Sequence, residues 1–183
     1  MIKRKQRIAM RDLSELAGED ADTAVKQRVN GRDLNLIKVM MHHPELTRRW
    51  VVFAGHVLRK QTLPAREREL IILRIGWLNQ AEYEWAQHVE IAKRVGVTED
   101  EIERIKRGPE AGWQTQDQSL LQAVDDLFQN SVISDATWTA LATRYSTVQM
   151  MDLVFTIGQY NLVSWALNSF GVPLDDYLPG ARK

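Results

Sequence analysis

Apolar residues recur at intervals of three and four along most of the chain, a spacing that places them on one side of an α-helix. Pro and Gly, which interrupt helices, number only 5 and 10 among 183 residues and are concentrated at a few points. No segment has a convincing strand pattern. The sequence therefore predicts an all-α fold.

Interruptions of this spacing predict where the helices begin and end. Thr98 and Glu101 have the spacing of a capping box, and Pro64 suits the first turn of a helix. Ser134 is a further expected cap. We expect helices over about 22–41, 45–61, 64–79, 81–95, 98–107, 117–130, 134–145 and 147–170. Residues 1–20 are predicted to be a polar N-terminal arm, and 21–183 a single domain.

Composition excludes several classes of function. Lys+Arg and Asp+Glu both number 24, so no net charge favours a nucleic acid or an anionic membrane as a partner. No apolar run is long enough to span a bilayer, and the basic start is followed by polar residues rather than a signal core. The chain has no Cys, which excludes disulfides and thiol-based redox chemistry. We expect a cytoplasmic protein.

Candidate chemistry is concentrated between Glu69 and His88. Glu84 and His88 are four residues apart, so on a helix they lie on one face within reach of each other. Glu69 belongs to the preceding apolar segment, and a hairpin of the two helices would bring a second carboxylate towards the same imidazole. The pattern predicts a proton-transfer site. The alternative interpretation is a solvated surface pair, with Glu69 merely favouring the first turns of its helix.

An internal repeat is a further possibility. The segment around 73–76 resembles the segment around 155–158, and each is followed by an apolar stretch that ends at Gly. In such a repeat Met151 would occupy the position of Glu69, so only the first half would be catalytic. Two degenerate helical repeats are therefore part of the predicted fold.

The run Leu63-Pro64-x-Arg66-Glu67-x-Glu69, followed by 81–85 and His88, resembles the carboxymuconolactone decarboxylase family, which is related to alkylhydroperoxidase AhpD. The resemblance is centred on about residues 40–107. It implies an AhpD-like helical bundle that forms homo-oligomers, commonly trimers or hexamers, with pockets near the subunit contacts.

The resemblance also implies which residues carry the chemistry. In the peroxidase branch the motif is a Glu followed by Cys-x-x-Cys-x-x-x-His, which places the two thiols at Ala81 and Glu84. Because both are absent here, thiol peroxidase activity is not expected, although such a label suits the family. Glu69 and His88 remain, and Tyr83 stands where that branch tends to have another histidine.

The decarboxylase-like branch implies chemistry without a cofactor. A carboxylate conjugated to a lactone carbonyl leaves as carbon dioxide, and a general acid protonates the remaining dienolate. The implied roles are His88 as proton donor or acceptor, Glu84 or Glu69 as its orienting partner, and Tyr83 as a donor. We expect a carboxy-lyase-type enzyme acting on a small lactone or cyclic carboxylic acid. The alternative is a non-catalytic helical oligomer that binds a ligand or partner.

Anion binding is expected at Arg66 or Arg74, although arginines in such positions are more often solvated or paired. Glu69, Glu84 and His88 could also form an open metal site. Since the His-Glu-x-x-His zinc pattern is absent, we expect no metal and no other cofactor.

Overall fold

The computed structural model describes residues 1–2 and 4–181. Within them it has nine α-helices, one short 3-10 helix at Leu13–Glu15 and no β-sheet, only an isolated bridge. This confirms the all-α prediction. No helix in the described part of the chain is long and apolar enough to cross a membrane. The helices are α1 (Gly18–Lys26), α2 (Asn35–Met40), α3 (Pro44–Arg59), α4 (Ala65–Leu78), α5 (Glu82–Arg94), α6 (Glu99–Arg107), α7 (Thr115–Asn130), α8 (Asp135–Ala142) and α9 (Thr147–Phe170).

Helix α4 lies at the centre of the bundle. It packs against α5, α6, α7 and α9, and the residues from Leu70 to Ile75 are buried. A helix that is surrounded by others is expected to be apolar on nearly all sides, and the run from Leu70 to Ile75 is apolar except for Arg74. The charged side chains on α4 that are buried with it, Glu67, Glu69 and Arg74, therefore need partners within the protein.

The predicted caps are present. Thr98 and Glu101 form a complete capping box at the start of α6, and the Ser134 side chain accepts a hydrogen bond from the Thr137 amide at the start of α8. Gly171 ends α9 in a left-handed conformation with a φ of 65°.

The helix predicted over 22–41 is wrong, because the chain forms two helices there, α1 and α2. Asn30 and Gly31 both have positive φ angles, of 50° and 75°, and the flanking Val29 and Arg32 form an antiparallel bridge. Asn-Gly is the characteristic pair of a tight turn of this kind. Local turn chemistry thus overrides the helical spacing of the apolar residues.

The N-terminal segment contacts the bundle. The Arg7 amide donates to the Phe170 carbonyl at 2.8 Å, and the Arg11 guanidinium donates to the Met41 carbonyl at 2.7 Å. The domain boundary near residue 20 stays a prediction.

The two segments of the predicted repeat differ in structure. After Gly76 the helix ends at Leu78, whereas after Gly158 helix α9 continues to Phe170. The short sequence match therefore does not extend to a repeated helical hairpin.

Candidate active site

The hairpin of α4 and α5 positions the predicted site residues. The connection between these helices is three residues long and includes Gln80, whose φ of 53° lets the chain reverse direction. Because the two helices pack side by side, Glu69 in the first half of α4 lies opposite His88 in the middle of α5.

His88 lies between two carboxylates. Its Nδ1 is 2.6 Å from Glu69 Oε2, and its Nε2 is 2.9 Å from Glu84 Oε1. All three side chains are buried, and that of Glu69 has no exposed surface. The hairpin and the i,i+4 spacing thus bring together the three groups that the sequence singled out.

The two carboxylates hold the imidazole in its protonated form. Burial alone would lower the pKa of His88, but the charges of Glu69 and Glu84 outweigh this effect and raise it to about 10. Burial likewise acts to raise the pKa of Glu69, and the neighbouring charges of His88 and Arg68 bring it below its ordinary value. At neutral pH the site is therefore an imidazolium flanked by carboxylates.

Two further side chains complete this cluster. The ring of Tyr160, on α9, meets the imidazole edge to face, with ring centroids 4.9 Å apart. Burial and the charges of Glu84 and Glu69 raise the pKa of Tyr160 well above its ordinary value, so it is a neutral phenol. Arg68 donates from Nε to Glu69 Oε1 at 3.0 Å. We call Arg68, Glu69, Glu84, His88 and Tyr160 the His88 cluster.

Tyr83 points elsewhere. Its hydroxyl donates to Asp175 Oδ2 at 2.6 Å, and the same carboxylate accepts from Gln87 and from the Asn35 amide. These contacts join α5, the start of α2 and the segment after α9. The structure thus gives Tyr83 a bond to the C-terminal segment rather than to the His88 cluster.

Arg66 and Arg74 are both engaged by other carboxylates. Arg66 binds Asp117 at 2.9 and 3.1 Å and also contacts Glu101. Arg74 binds Asp125 through two hydrogen bonds of 2.6 and 2.7 Å. Their partners lie on α6 and α7, whereas those of His88 lie on α4 and α5.

The ion pair of Arg74 and Asp125 also explains why residue 108 is a glycine. Gly108 has a φ of 98°, and a β-carbon at this position would lie 2.9 Å from Arg74 Nη2. The Arg74 side chain fills the space beside this backbone and donates to the Ile105 carbonyl at 2.9 Å. This is the environment of a structural ion pair.

Two of the surface concavities formed by the described residues are relevant to the predicted site residues. One, of about 430 Å³, is polar and includes Arg66, Arg104 and Arg144 together with their acidic partners. The other, of about 360 Å³, is apolar and lies between α8 and α9. Neither is lined by Glu69, Glu84 or His88.

Among the described residues, no group of three His, Asp and Glu side chains has an arrangement that would hold a metal ion. Each ring nitrogen of His88 already faces a carboxylate oxygen, which leaves no lone pair directed at an open space. That the protein uses neither a metal nor another cofactor stays a prediction.

Sequence reasoning missed Arg68 and Tyr160. Arg68 is one of three arginines in the stretch 66–74, and spacing alone does not distinguish the one that contacts Glu69. Tyr160 lies far along the chain and reaches the imidazole only through the packing of α9. The one available signal was that Tyr160 is the only tyrosine in the long apolar helix of residues 147–170.

Comparisons with known proteins bear on both the sequence and the fold. Residues 44–124 match the sequence profile of the Carboxymuconolactone decarboxylase family, a region that contains the whole α4 and α5 hairpin. No curated protein matches the chain by sequence.

Solved structures match the fold. An AhpD-core, peroxidase-related protein from Ralstonia eutropha has a TM-score of 0.82 at 17% identity, covering 93% of this chain and 92% of that one. A peroxidase-related protein from Silicibacter sp. has a TM-score of 0.81 at 14% identity, covering 99% and 98%. The debrominase Bmp8, in complex with 2,3,4-tribromopyrrole, has a TM-score of 0.66 at 15% identity, covering 80% and 79%.

These matches confirm the resemblance and the AhpD-like fold predicted from the sequence. Glu84, which stands at a position where the peroxidase motif has a thiol, here presents a carboxylate to the imidazole. The chain therefore has an AhpD-like fold, contains no Cys, and matches the Carboxymuconolactone decarboxylase family over residues 44–124, the region that holds Glu69, Glu84 and His88.

Proposed function

We propose that this protein is a cofactor-independent lyase or isomerase that acts on a small lactone or cyclic carboxylic acid. The observation that supports this most strongly is the buried imidazolium of His88 between Glu69 and Glu84. Burying one cation between two anions is costly unless every charge has a close partner. Three such groups in direct contact suit the movement of a proton.

The proposed reaction needs only a group that accepts an electron pair and a proton donor. In a carboxylate conjugated to a lactone carbonyl, the carbon–carbon bond breaks, carbon dioxide leaves, and the electron pair moves to the carbonyl oxygen as a dienolate. A proton from the site then returns to carbon, and water restores that proton. A neighbouring cation stabilises the dienolate while it exists.

Within this reaction His88 and Glu84 would move the proton, and Glu69 would orient the ring. An imidazolium with a pKa of about 10 is a weak acid. If the incoming substrate turns Glu84 away, one of the two charges that raise this pKa is removed. The imidazolium then becomes a stronger acid, with Nε2 facing the substrate.

Arg68 would hold the substrate carboxylate, in place of the Arg66 or Arg74 expected from sequence. Its Nε is bonded to Glu69, and within the described residues its two terminal NH₂ groups have no hydrogen-bond partner. Its side chain is 14% exposed, so a small anion could reach it. A guanidinium with free terminal nitrogens suits a carboxylate.

The test is turnover of a panel of small lactone carboxylic acids, with release of carbon dioxide and product formation as the two readouts. We expect His88→Gln to abolish turnover while the far-ultraviolet circular dichroism spectrum is unchanged. Arg68→Gln should raise KM more than it lowers kcat, because its role is to bind the substrate. Full activity of His88→Gln would contradict the proposal.

A non-catalytic protein is the second candidate. It is favoured by the closure of the site, because both ring nitrogens face carboxylates and His88 is almost fully buried. If no member of the panel is turned over, this candidate is preferred, and a shift of the melting temperature without turnover would identify a ligand. Robust peroxide consumption with a thiol reductant would contradict both, since a chain without Cys has no thiol to form a disulfide.

A further inference from the structure

Helix α9 carries an apolar stripe on its solvent side. Five large side chains of this helix are each more than half exposed: Val148, Met151, Phe155, Leu162 and Trp165. With Gly158, which is also exposed, they are spaced by three and four residues in strict alternation. We call these six residues the α9 seam. Alternating steps of three and four are the spacing at which two helices pack along their length.

The inward side of α9 is largely apolar as well, although it also buries Thr156, Gln159 and Ser164. Leu153, Ile157 and Val163 are buried against the bundle, and Asp152 is the only charged residue in the helix. Asp152 accepts hydrogen bonds from the Thr62 amide and hydroxyl and is therefore occupied. Since a surface helix normally turns polar residues towards solvent, an outward side made of large apolar residues is expected to be covered by another surface.

The exposed apolar surface continues beyond α9. Phe53 of α3 is exposed and meets Phe155 edge to face at 6.1 Å, and its chain neighbour Val52 is exposed as well. Trp138 of α8 is exposed on the other side. Together with the five large seam residues these side chains expose roughly 900 Å², comparable with the ~800 Å² that each partner buries in a stable complex.

The seam is complementary to itself. If two copies of α9 cross antiparallel at Gly158, Phe155 of each copy faces Leu162 of the other and Met151 faces Trp165. Gly158 has no atom within 4 Å of where its β-carbon would be, so the two backbones can approach closely there. The absence of charge on the seam means that no like charges meet across the two-fold axis.

A groove lies where this pairing needs one. The apolar concavity of about 360 Å³ between α8 and α9 is lined by Met151, Phe155 and Trp138 among others, and none of its lining residues is charged. Antiparallel pairing brings Trp165 of the second copy to this end of the helix. A large exposed aromatic side chain next to a desolvated pocket is the usual arrangement at the centre of an interface.

We propose that two copies of this chain associate through the α9 seam, about a two-fold axis at Gly158. The interface is isologous, with the same residues contributed by each copy. This inference does not depend on the proposed reaction, because it uses the outward face of α9 and not the His88 cluster.

The first test is the mass in solution, measured by light scattering over the micromolar range. We expect a dimer or a larger even-numbered oligomer that contains this pair. Leu162→Glu should halve the mass of a dimer, whereas Phe128→Glu, at an exposed apolar position on α7, should leave it unchanged. Circular dichroism verifies that both variants are folded. A monomeric or trimeric wild-type protein would overturn the proposal.

The second test uses the absence of native cysteines. Gly158→Cys places one thiol at the proposed axis, and mild oxidation should link most of this protein into dimers. Glu99→Cys, at an exposed position on α6, should not be linked. Because a side chain at the axis can itself hinder close approach, a mixture of Phe155→Cys and Leu162→Cys, which face each other in the proposed pair, is tested as well. An even-numbered oligomer in which neither Gly158→Cys nor this mixture is linked would show that another surface pairs, and would also overturn the proposal.

A mixture of two variants shows whether the two α9 helices of the proposed dimer run antiparallel or parallel. Val148→Cys and Ser169→Cys lie at opposite ends of α9, so antiparallel copies should link these two proteins to each other far more than to themselves. Linkage of each variant only to itself would indicate parallel helices and contradict the two-fold axis at Gly158.

Discussion

At the scale of residues, the His88 cluster is a set of buried charges that balance one another. Arg68 and His88 are cationic, and Glu69 and Glu84 are anionic, with contacts between 2.6 and 3.0 Å. Each charge has a partner of opposite sign, which is the condition under which ions are tolerated in a protein interior. The cluster is stable as a whole, but it depends on the protonation of one ring.

This dependence predicts how stability changes with pH. Folding raises the pKa of His88 from 6.5 to about 10, so the protonated ring stabilises the fold fully below pH 6.5. That contribution is lost as the pH rises towards 10. We expect the free energy of unfolding in urea to fall over this interval, and to fall much less in His88→Gln.

The matched control is His43→Gln, which removes an exposed histidine. This variant should retain the decline seen in the wild-type protein. Equal declines in the wild-type protein and His88→Gln would show that the imidazole gains no proton affinity on folding.

The sequence identified part of this cluster for simple geometric reasons. Glu84 and His88 follow from helical spacing, and Glu69 from the short hairpin. The sequence could not show which of Arg66, Arg68 and Arg74 contacts the cluster, because this depends on which neighbouring helix each side of α4 faces. That direction is set by neighbours on α6 and α7, which are distant in sequence.

At the scale of elements, ion pairs and hydrogen bonds connect helices that apolar packing alone would leave free to slide. Arg74 and Asp125 join α4 to α7, and the Ile105 carbonyl brings the end of α6 to the same guanidinium. Tyr83 and Asp175 join α5 to the C-terminal segment. These contacts explain why residues expected at the site are found elsewhere.

We predict that Arg74→Met destabilises the fold by about 3–5 kcal/mol, because it leaves Asp125 buried without its cation. The double variant Arg74→Met, Asp125→Leu should recover much of this loss in urea unfolding. If instead Arg74→Met is as stable as wild type but no longer binds anionic ligands, Arg74 is an anion anchor after all.

We predict that Tyr83→Phe lowers the free energy of unfolding by about 1–3 kcal/mol, since it removes a hydrogen bond to a buried carboxylate. Turnover and ligand binding should be unaffected. Tyr177→Phe, whose hydroxyl contacts Gln87 at a more exposed position, is the control and should cost less. Lost turnover at unchanged stability would restore Tyr83 to the role of donor.

Helix positions were predictable wherever apolar spacing and caps agreed. Helices α3 to α7 and α9 lie within a few residues of their predicted bounds. The prediction failed at residues 27–34, where an Asn-Gly turn interrupts a spacing that is otherwise helical. Periodicity records which side of a helix is buried, and it does not exclude a turn between two short helices.

At the scale of the whole molecule, the bundle has apolar surface both inside and outside. The core around α4 is closed, whereas the α9 seam faces solvent in a single chain. The sequence predicted an oligomer only through the family resemblance. The exposed stripe became recognisable once the structure assigned each residue of the helix to a side.

Association through the seam predicts that thermal stability depends on protein concentration. Because assembly favours the folded state by mass action, the melting temperature should rise with concentration for the wild-type protein. For Leu162→Glu it should be constant. A wild-type melting temperature that does not change over a hundredfold range of concentration would contradict this expectation.

Helix α9 is constrained from two directions. Tyr160 on its inner side touches the His88 ring, and the seam occupies its outer side. In a library that samples every amino acid at every position, we expect this helix to accept fewer polar replacements per residue than α3 or α7, the next longest helices. The replacements that are not tolerated should fall into two classes. Those on the inner side of α9 should impair activity, and those on the outer side should impair oligomerisation.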